Sequence, residues 1–304
     1  MEISKDQGND NSSVQSPHEA LFLALAYLPT LELLATSQVS RSLRDAVKND
    51  VLPWMNIVIE KPLSNRLSDH KLRQITSMAR GRVTTLALIN CEKLSDSGLQ
   101  QVVQENPHIN KLHIPGCTGL TPDGVIRAVK TLSNQSRGLK SLSINGIYNI
   151  QNHHLQTLHS YLETKFEAQK KPMPLLFHEY KNFPRHRNNN EEQPAIDLEI
   201  CPRCKEARMV FDCPRETCKM KRERSMRDCR GCHFCIPRCR ECGVCVGDDE
   251  ELEEVLCEDF LCSDCWLRLP KCSLCYKPYC KQHAAQESCF SGSSEFVCHV
   301  CHAI

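Results

Sequence analysis

The chain has 304 residues, a quarter of them charged, with 38 Lys and Arg against 37 Asp and Glu and a formal net charge of +1. That length allows roughly two or three domains, and the balanced charge gives no bulk attraction to nucleic acid or to an anionic membrane. The longest apolar run, residues 20–28, is well short of the roughly 20 residues a bilayer span requires. Residues 1–16 lack the charged-then-apolar pattern of an export signal. The expectation is a protein of the nucleus and/or cytoplasm, with no membrane contact and with its thiols reduced.

Residues 16–56 read as three short helices. Ser16, Pro17 and Glu19 form a helix start, with Ser as N-cap, Pro at the first helical position and Glu closing a capping box. Leu21, Leu25 and Leu28 recur at helical spacing up to Pro29. Thr30 can cap a second helix over 31–35, which holds Leu33 and Leu34. A third helix sets Val39, Leu43 and Val47 on one stripe and Arg41, Arg44, Asp45 and Lys48 on the other side. Trp54 closes the segment. Three helices this short bury too little surface to satisfy themselves, so some leucines should face a partner. The order Pro-x-Glu, apolar helix, Leu-Pro, Leu-Leu, Val-Ser-Arg and Trp resembles an F-box, with Ser16 and Leu43 departing from its usual Leu and Trp. The resemblance implies that Pro17, Leu21, Leu25, Leu28, Pro29, Leu33, Leu34, Val39 and Trp54 dock onto the Skp adaptor of a cullin-based ubiquitin ligase.

Residues 57–164 contain internal copies. Leu86, Leu112 and Leu142 are equivalent, as are Leu88, Ile114 and Ile144, then Cys91, Cys117 and Ile147, and then Leu99, Val125 and Leu155. A degenerate first copy holds Ile57, Ile59, Leu67 and Leu72. Each copy reads as a strand of period two, a turn and a helix of period 3.6. One copy cannot bury its own apolar face, so the copies must stack. The pattern is similar to the cysteine-containing leucine-rich repeat, which implies a short α/β solenoid of about four repeats. Cys91 and Cys117 then point inward as apolar fillers rather than metal ligands. The strand face would present Thr85, Ala87, Ile89, Lys111, His113, Pro115, Ser141, Ser143 and Asn145, either to an outside ligand or to the zinc domain. Residues 165–198, with four prolines and an Asn run, read as a linker in which His178 and His186 are solvent residues.

Nineteen of the 21 cysteines lie between Cys201 and Cys301, mostly as Cys-x2-Cys. Two thiols three positions apart can turn onto one ion from a tight loop, and zinc takes four such ligands. Residues 199–304 are therefore expected to be a small Cys-rich domain built on about four or five structural zinc ions. The candidate ligands are Cys201, Cys204, Cys213, Cys218, Cys229, Cys232, Cys235, Cys239, Cys242, Cys245, Cys257, Cys262, Cys265, Cys272, Cys275, Cys280, His283, Cys298 and Cys301. The six-cysteine run from Cys229 to Cys245 must divide between at least two sites. Three readings stay open for this domain. A RING-like cross-brace would use the pairs Cys242/Cys245, Cys262/Cys265, Cys272/Cys275 and Cys298/Cys301. Nucleic-acid binding is suggested by 12 Lys and Arg against five acidic residues in 203–240. A protein-binding zinc module is the default. No family signature was matched to residues 201–304.

The sequence thus predicts a multidomain chain: an α-helical F-box over 16–56, leucine-rich repeats over 57–164, a linker over 165–198 and the zinc domain over 199–304. This layout is that of a substrate-recognition subunit of an Skp–cullin–F-box ligase, similar to plant Skp-interacting F-box proteins. The expected partners are the Skp adaptor, cullin through it, and a target protein. The rival reading is a zinc-dependent nucleic-acid or chromatin-binding factor. No paired carboxylates, phosphate loop or Ser-His-Asp spacing is recognisable, so the expected role is that of a non-catalytic adaptor.

Overall fold

The computed structural model describes residues 19–134, 138–162, 175–179, 194–223, 229–246, 260–280, 297–298 and 301. It falls into two compact units, Met1–Lys140 and Ser141–Ile304.

The first unit opens with α1 (Glu19–Ala24), which tightens into a 3-10 turn over Leu25–Tyr27 and stops at Pro29. The expected cap at Ser16 and Pro17 lies outside the described residues. Thr30 does not cap α2 (Thr30–Thr36). It is the first residue inside it, and its hydroxyl accepts a hydrogen bond from the Val58 amide at 3.2 Å. α3 (Arg41–Asn49) is capped by Ser40, whose Oγ accepts from the Leu43 amide at 3.2 Å. Val39 therefore precedes α3 instead of joining its stripe. The buried face is Leu43 and Val47, and Val39 is 76% exposed. Trp54 is buried and donates its indole N–H to the Val47 carbonyl at 2.8 Å, which satisfies the one polar atom of the ring.

Three strand–turn–helix copies follow. β1 (Asn56–Ile59), β2 (Thr85–Leu88) and β3 (Lys111–His113) are parallel neighbours, in a register that aligns Ile57 with Leu86 and Leu86 with Leu112. α4 (Asp69–Ser77) packs on α5 (Asp96–Glu105), and α5 on α6 (Pro122–Ser133). The equivalent side chains Ile59, Leu88 and Ile114, and Leu72, Leu99 and Val125, are all buried, as are Cys91 and Cys117. The helices are joined by a ladder of caps. Ser95 caps α5 by accepting from the Gly98 amide, while the Asp69 carboxylate accepts from both the Ser95 amide at 2.9 Å and its hydroxyl. Thr121 caps α6 through the Gly124 amide, and Asp96 accepts from the Thr121 amide at 2.9 Å and hydroxyl at 2.6 Å. The acid in the first turn of one helix thus fixes the cap of the next. Gly98 and Gly124 are required beside it, because a Cβ on either would come within 2.2 Å of the neighbouring Asp side chain.

The strand face is largely covered in the first unit. Ala87 and His113 are buried, and Thr85, Ile89, Lys111 and Pro115 are partly so.

The second unit begins with β4 (Ser141–Ser143) and α7 (Asn152–Leu162). The fourth copy therefore clusters with the Cys-rich part, and residues 194–198 explain why. The Leu142 amide donates to Ala195 O at 2.8 Å, and the Asp197 amide donates back to Leu142 O at 3.2 Å. The partly buried Asp197 carboxylate accepts from Ser143 Oγ at 2.6 Å and from the Ile144 and Asn145 amides at 2.8 and 3.1 Å. The stretch expected to be linker is structural at this end. It is so again at 175–179, where the Asp212 amide donates to Leu175 O at 2.9 Å and Phe177 meets Phe211 edge-on at 5.2 Å. His178 is half-buried against Gly243 and is not a solvent residue. His186 lies outside the described residues. β5 (Glu199–Ile200) and β6 (Ala207–Arg208) form an antiparallel hairpin, and α8 (Glu216–Glu223) and α9 (Ser263–Arg268) complete the described elements.

Candidate metal centres

Three of the Cys-x2-Cys turns share one backbone device. The amide of the first cysteine donates to the carbonyl five residues on, and the amide four residues on donates back to its carbonyl. The pairs are Cys201 with Glu206 and Lys205, Cys239 with Val244 and Gly243, and Cys272 with Lys277 and Tyr276. The returning residue has positive φ in each: Lys205 at 63°, Gly243 at 75° and Tyr276 at 60°. This loop points both thiols to one side, as the spacing implied.

The turns bring 16 cysteines into four groups, each with its four sulfurs within 4.8 Å of one another. The first group is Cys201, Cys204, Cys232 and Cys235. The second is Cys213, Cys218, Cys229 and Cys245. The third is Cys239, Cys242, Cys262 and Cys265, and the fourth is Cys272, Cys275, Cys298 and Cys301. Sulfur–sulfur separations include 3.9 Å for Cys204–Cys232, 3.7 Å for Cys213–Cys245, 3.7 Å for Cys242–Cys262 and 3.8 Å for Cys275–Cys298. A tetrahedral zinc with bonds of about 2.3 Å sets its sulfurs ~3.8 Å apart. Disulfide sulfurs would stand at about 2.05 Å. Each group could hold a metal ion, and its dimensions fit a tetrathiolate one.

Metal binding needs thiolates, and the leading cysteine of each group is the one pushed toward that form. Burial pushes Cys201 and Cys272 up, but backbone amides aimed at the sulfur outweigh it and bring both down to about 6. A hydrogen bond from Cys229 brings Cys213 to about 4, and one from Cys242 does the same for Cys239. The donors Cys229 and Cys242 are correspondingly pushed up, and burial pushes Cys265 up to about 12. Four thiolates this close repel one another, and a divalent cation at their centre offsets that repulsion.

The six-cysteine run divides among three groups, one more than its minimum. The RING-like pairing is not formed: Cys242 and Cys245 belong to different groups, Cys262 and Cys265 join Cys239 and Cys242, and Cys272 and Cys275 join Cys298 and Cys301. Cys280 is buried but stands outside the four groups. Cys257 and His283 lie outside the described residues. The residue that sequence reasoning missed is Arg238. It is 2% exposed and donates through Nη2 to Phe211 O at 2.8 Å and Cys229 O at 2.7 Å. Its only signal was an Arg in the middle of the cysteine run.

The expected adaptor-binding residues separate by exposure. Leu25, Leu33 and Trp54 are core, at 1% exposure or less. Leu28, Pro29 and Leu34 are partly buried. Leu21 and Val39 are exposed, together with Leu23, Tyr27, Leu31 and Leu52, which the motif did not single out. Pro17 lies outside the described residues. An apolar surface on so small a helical region is characteristic of a protein-binding face.

Comparison with known proteins bears on both ends of the chain. Residues 17–54 match the F-box domain family. F-box protein SKIP28 of Arabidopsis thaliana is 40% identical over 276 residues, which cover 90% of this chain and 84% of that protein. The chain belongs to the F-box protein family. F-box protein SKIP14 of the same plant is 31% identical over 276 residues, but the match spans only 59% of its length. F-box protein At3g27290 is 35% identical over 254 residues, 65% of its length. Residues 197–274 match the At3g27290 F-box protein C-terminal domain, so the Cys-rich region does carry a family signature. It begins at Asp197 and contains every cysteine of the first three groups.

Proposed function

We propose that this F-box protein is the substrate-recognition subunit of an Skp–cullin–F-box ubiquitin ligase, acting in the nucleus and/or cytoplasm. The observation that carries the reading is the exposed set Leu21, Leu23, Tyr27, Leu31, Val39 and Leu52 within the F-box match. On this reading those side chains hold the Skp adaptor and, through it, cullin. The rest of the chain holds a target protein. The stacked strand–turn–helix copies act as a short leucine-rich-repeat solenoid, and the four cysteine groups carry structural zinc. The protein performs no chemistry itself. It raises the effective concentration of target lysines at the catalytic subunits.

Among the described residues of 203–240, several cations are taken up by contacts within the chain, which weakens the nucleic-acid reading. Arg230 pairs with Glu199 at 2.6 Å, Lys219 with Glu216 at 2.6 Å, and Arg238 is buried. Arg208 lies over the Phe234 ring at 4.4 Å.

The test is capture of purified Skp adaptor and cullin by the full-length protein, beside a Leu31→Asp/Val39→Asp variant. Both positions are exposed, so the variant should fold. Binding by the parent and its loss in the variant support the reading, and no binding by zinc-loaded parent protein rejects it.

A further inference from the structure

The four groups are not equivalent in the way the chain threads them. In the first group, the loop from Cys204 to Cys232 encloses Cys213, Cys218 and Cys229 of the second. The last ligand of the second, Cys245, lies between the two halves of the third, Cys239/Cys242 and Cys262/Cys265. The fourth starts only after Cys265 and overlaps none of the others. Three rings are linked and one is free.

The backbone ties the linked three further. Phe211 and Gly231 exchange hydrogen bonds at 3.1 and 3.3 Å, which hold the chain entering Cys213 against the chain between Cys229 and Cys232. Arg238 immediately precedes Cys239 of the third group and pairs antiparallel with Cys245 of the second. Its guanidinium caps the Cys229 carbonyl, also of the second. The Nε and Nη1 of this buried cation have no hydrogen-bond partner, and no carboxylate pairs with it among the described residues. A buried guanidinium without counter-charge is strongly unfavourable. Four thiolates around a divalent ion leave a net negative charge, a compensation that no described carboxylate supplies.

We propose that the first three groups load and release zinc as one cooperative unit, keyed by Arg238, and that the fourth group loads independently. Closing one ring shortens the loop the next must close, which lowers its entropic cost. The charge of each filled site also stabilises the Arg238 contacts that hold its neighbours in place. The inference rests on the groups binding zinc and does not depend on the ligase reading. The family-matched stretch agrees with the division, since it holds all the ligands of the linked groups but only Cys272 of the fourth.

The experiment is native mass spectrometry of the zinc-loaded full-length protein during stepwise addition of a chelator. The expected pattern is loss of three ions together and one separately. Cys218→Ser, in the second group, should lack three ions relative to the parent, and Cys275→Ser, in the fourth, should lack one. Arg238→Met should release the three-ion set at about tenfold lower chelator while the separate ion is released as in the parent. Loss of one ion at a time in the parent overturns the proposal, as does a Cys218→Ser protein short of a single ion. Simultaneous loss of all ions overturns the independence of the fourth group.

Discussion

The cap ladder makes Asp69 one of the more consequential polar residues of the first unit. Its carboxylate accepts from the Ser95 amide at 2.9 Å and from the Ser95 hydroxyl, and that hydroxyl in turn caps α5. Hydrogen bonds to a charged acceptor contribute about 1.5–3 kcal/mol each. Asp69→Ala removes two and leaves water to replace part of them, so the expected loss is about 3 kcal/mol. Asp69→Asn keeps an acceptor for the amide and should lose only ~1 kcal/mol. Urea unfolding followed by Trp54 fluorescence, in a Trp266→Phe background, measures both. Ser95→Ala closes a double-mutant cycle whose coupling should exceed about 1 kcal/mol. An Asp69→Ala protein within about 0.5 kcal/mol of its parent would refute the ladder, as would equal losses for Ala and Asn.

Other outcomes follow from the same contacts. Leu33→Ala should cost about 2–5 kcal/mol because Leu33 is fully buried, whereas Leu31→Ala, at 40% exposure, should leave the unfolding midpoint nearly unchanged. Tyr276→Gly should make the fourth cysteine group more resistant to chelation, by about 1 kcal/mol, because the position has φ of 60° and the ring is 71% exposed. An unchanged or lower resistance would show the tyrosine ring to be needed. Burial, and Lys111 beside it, push His113 from 6.5 down to about 4. As pH falls below 6.5 the unfolded chain takes up a proton that the folded chain refuses, so stability declines until pH passes about 4. Between pH 7 and pH 5 the decline should be about 2 kcal/mol. His113→Asn should remove that part of the pH dependence in urea titrations, and an unchanged pH slope would contradict the assignment.

Much of the fold was legible because it rests on period and spacing. The copies could be aligned residue by residue, and the register pairs Leu86 with Leu112 accordingly. The Cys-x2-Cys spacing located the turns that gather the cysteines, since that geometry is local. What joins one turn to another is not local. Nothing in the run from Cys229 to Cys245 says that Cys229 and Cys245 flank two other groups, and the cross-brace guess failed there. The ordered end of the linker is hidden for a similar reason. Four prolines and a missing period mark residues 165–198 as irregular, but they are silent about Asp197 finding three donors around Ser143. In the F-box the motif marked positions by residue type, and type does not separate Leu33, which faces the core, from Leu31, which does not.

The most direct test of the division of labour is hydrogen exchange of the full-length, zinc-loaded protein with and without the Skp adaptor. New protection is expected between Leu21 and Leu52, with unchanged exchange from Cys201 to Cys301. Protection centred on the cysteine groups, or none in the F-box helices, would contradict it.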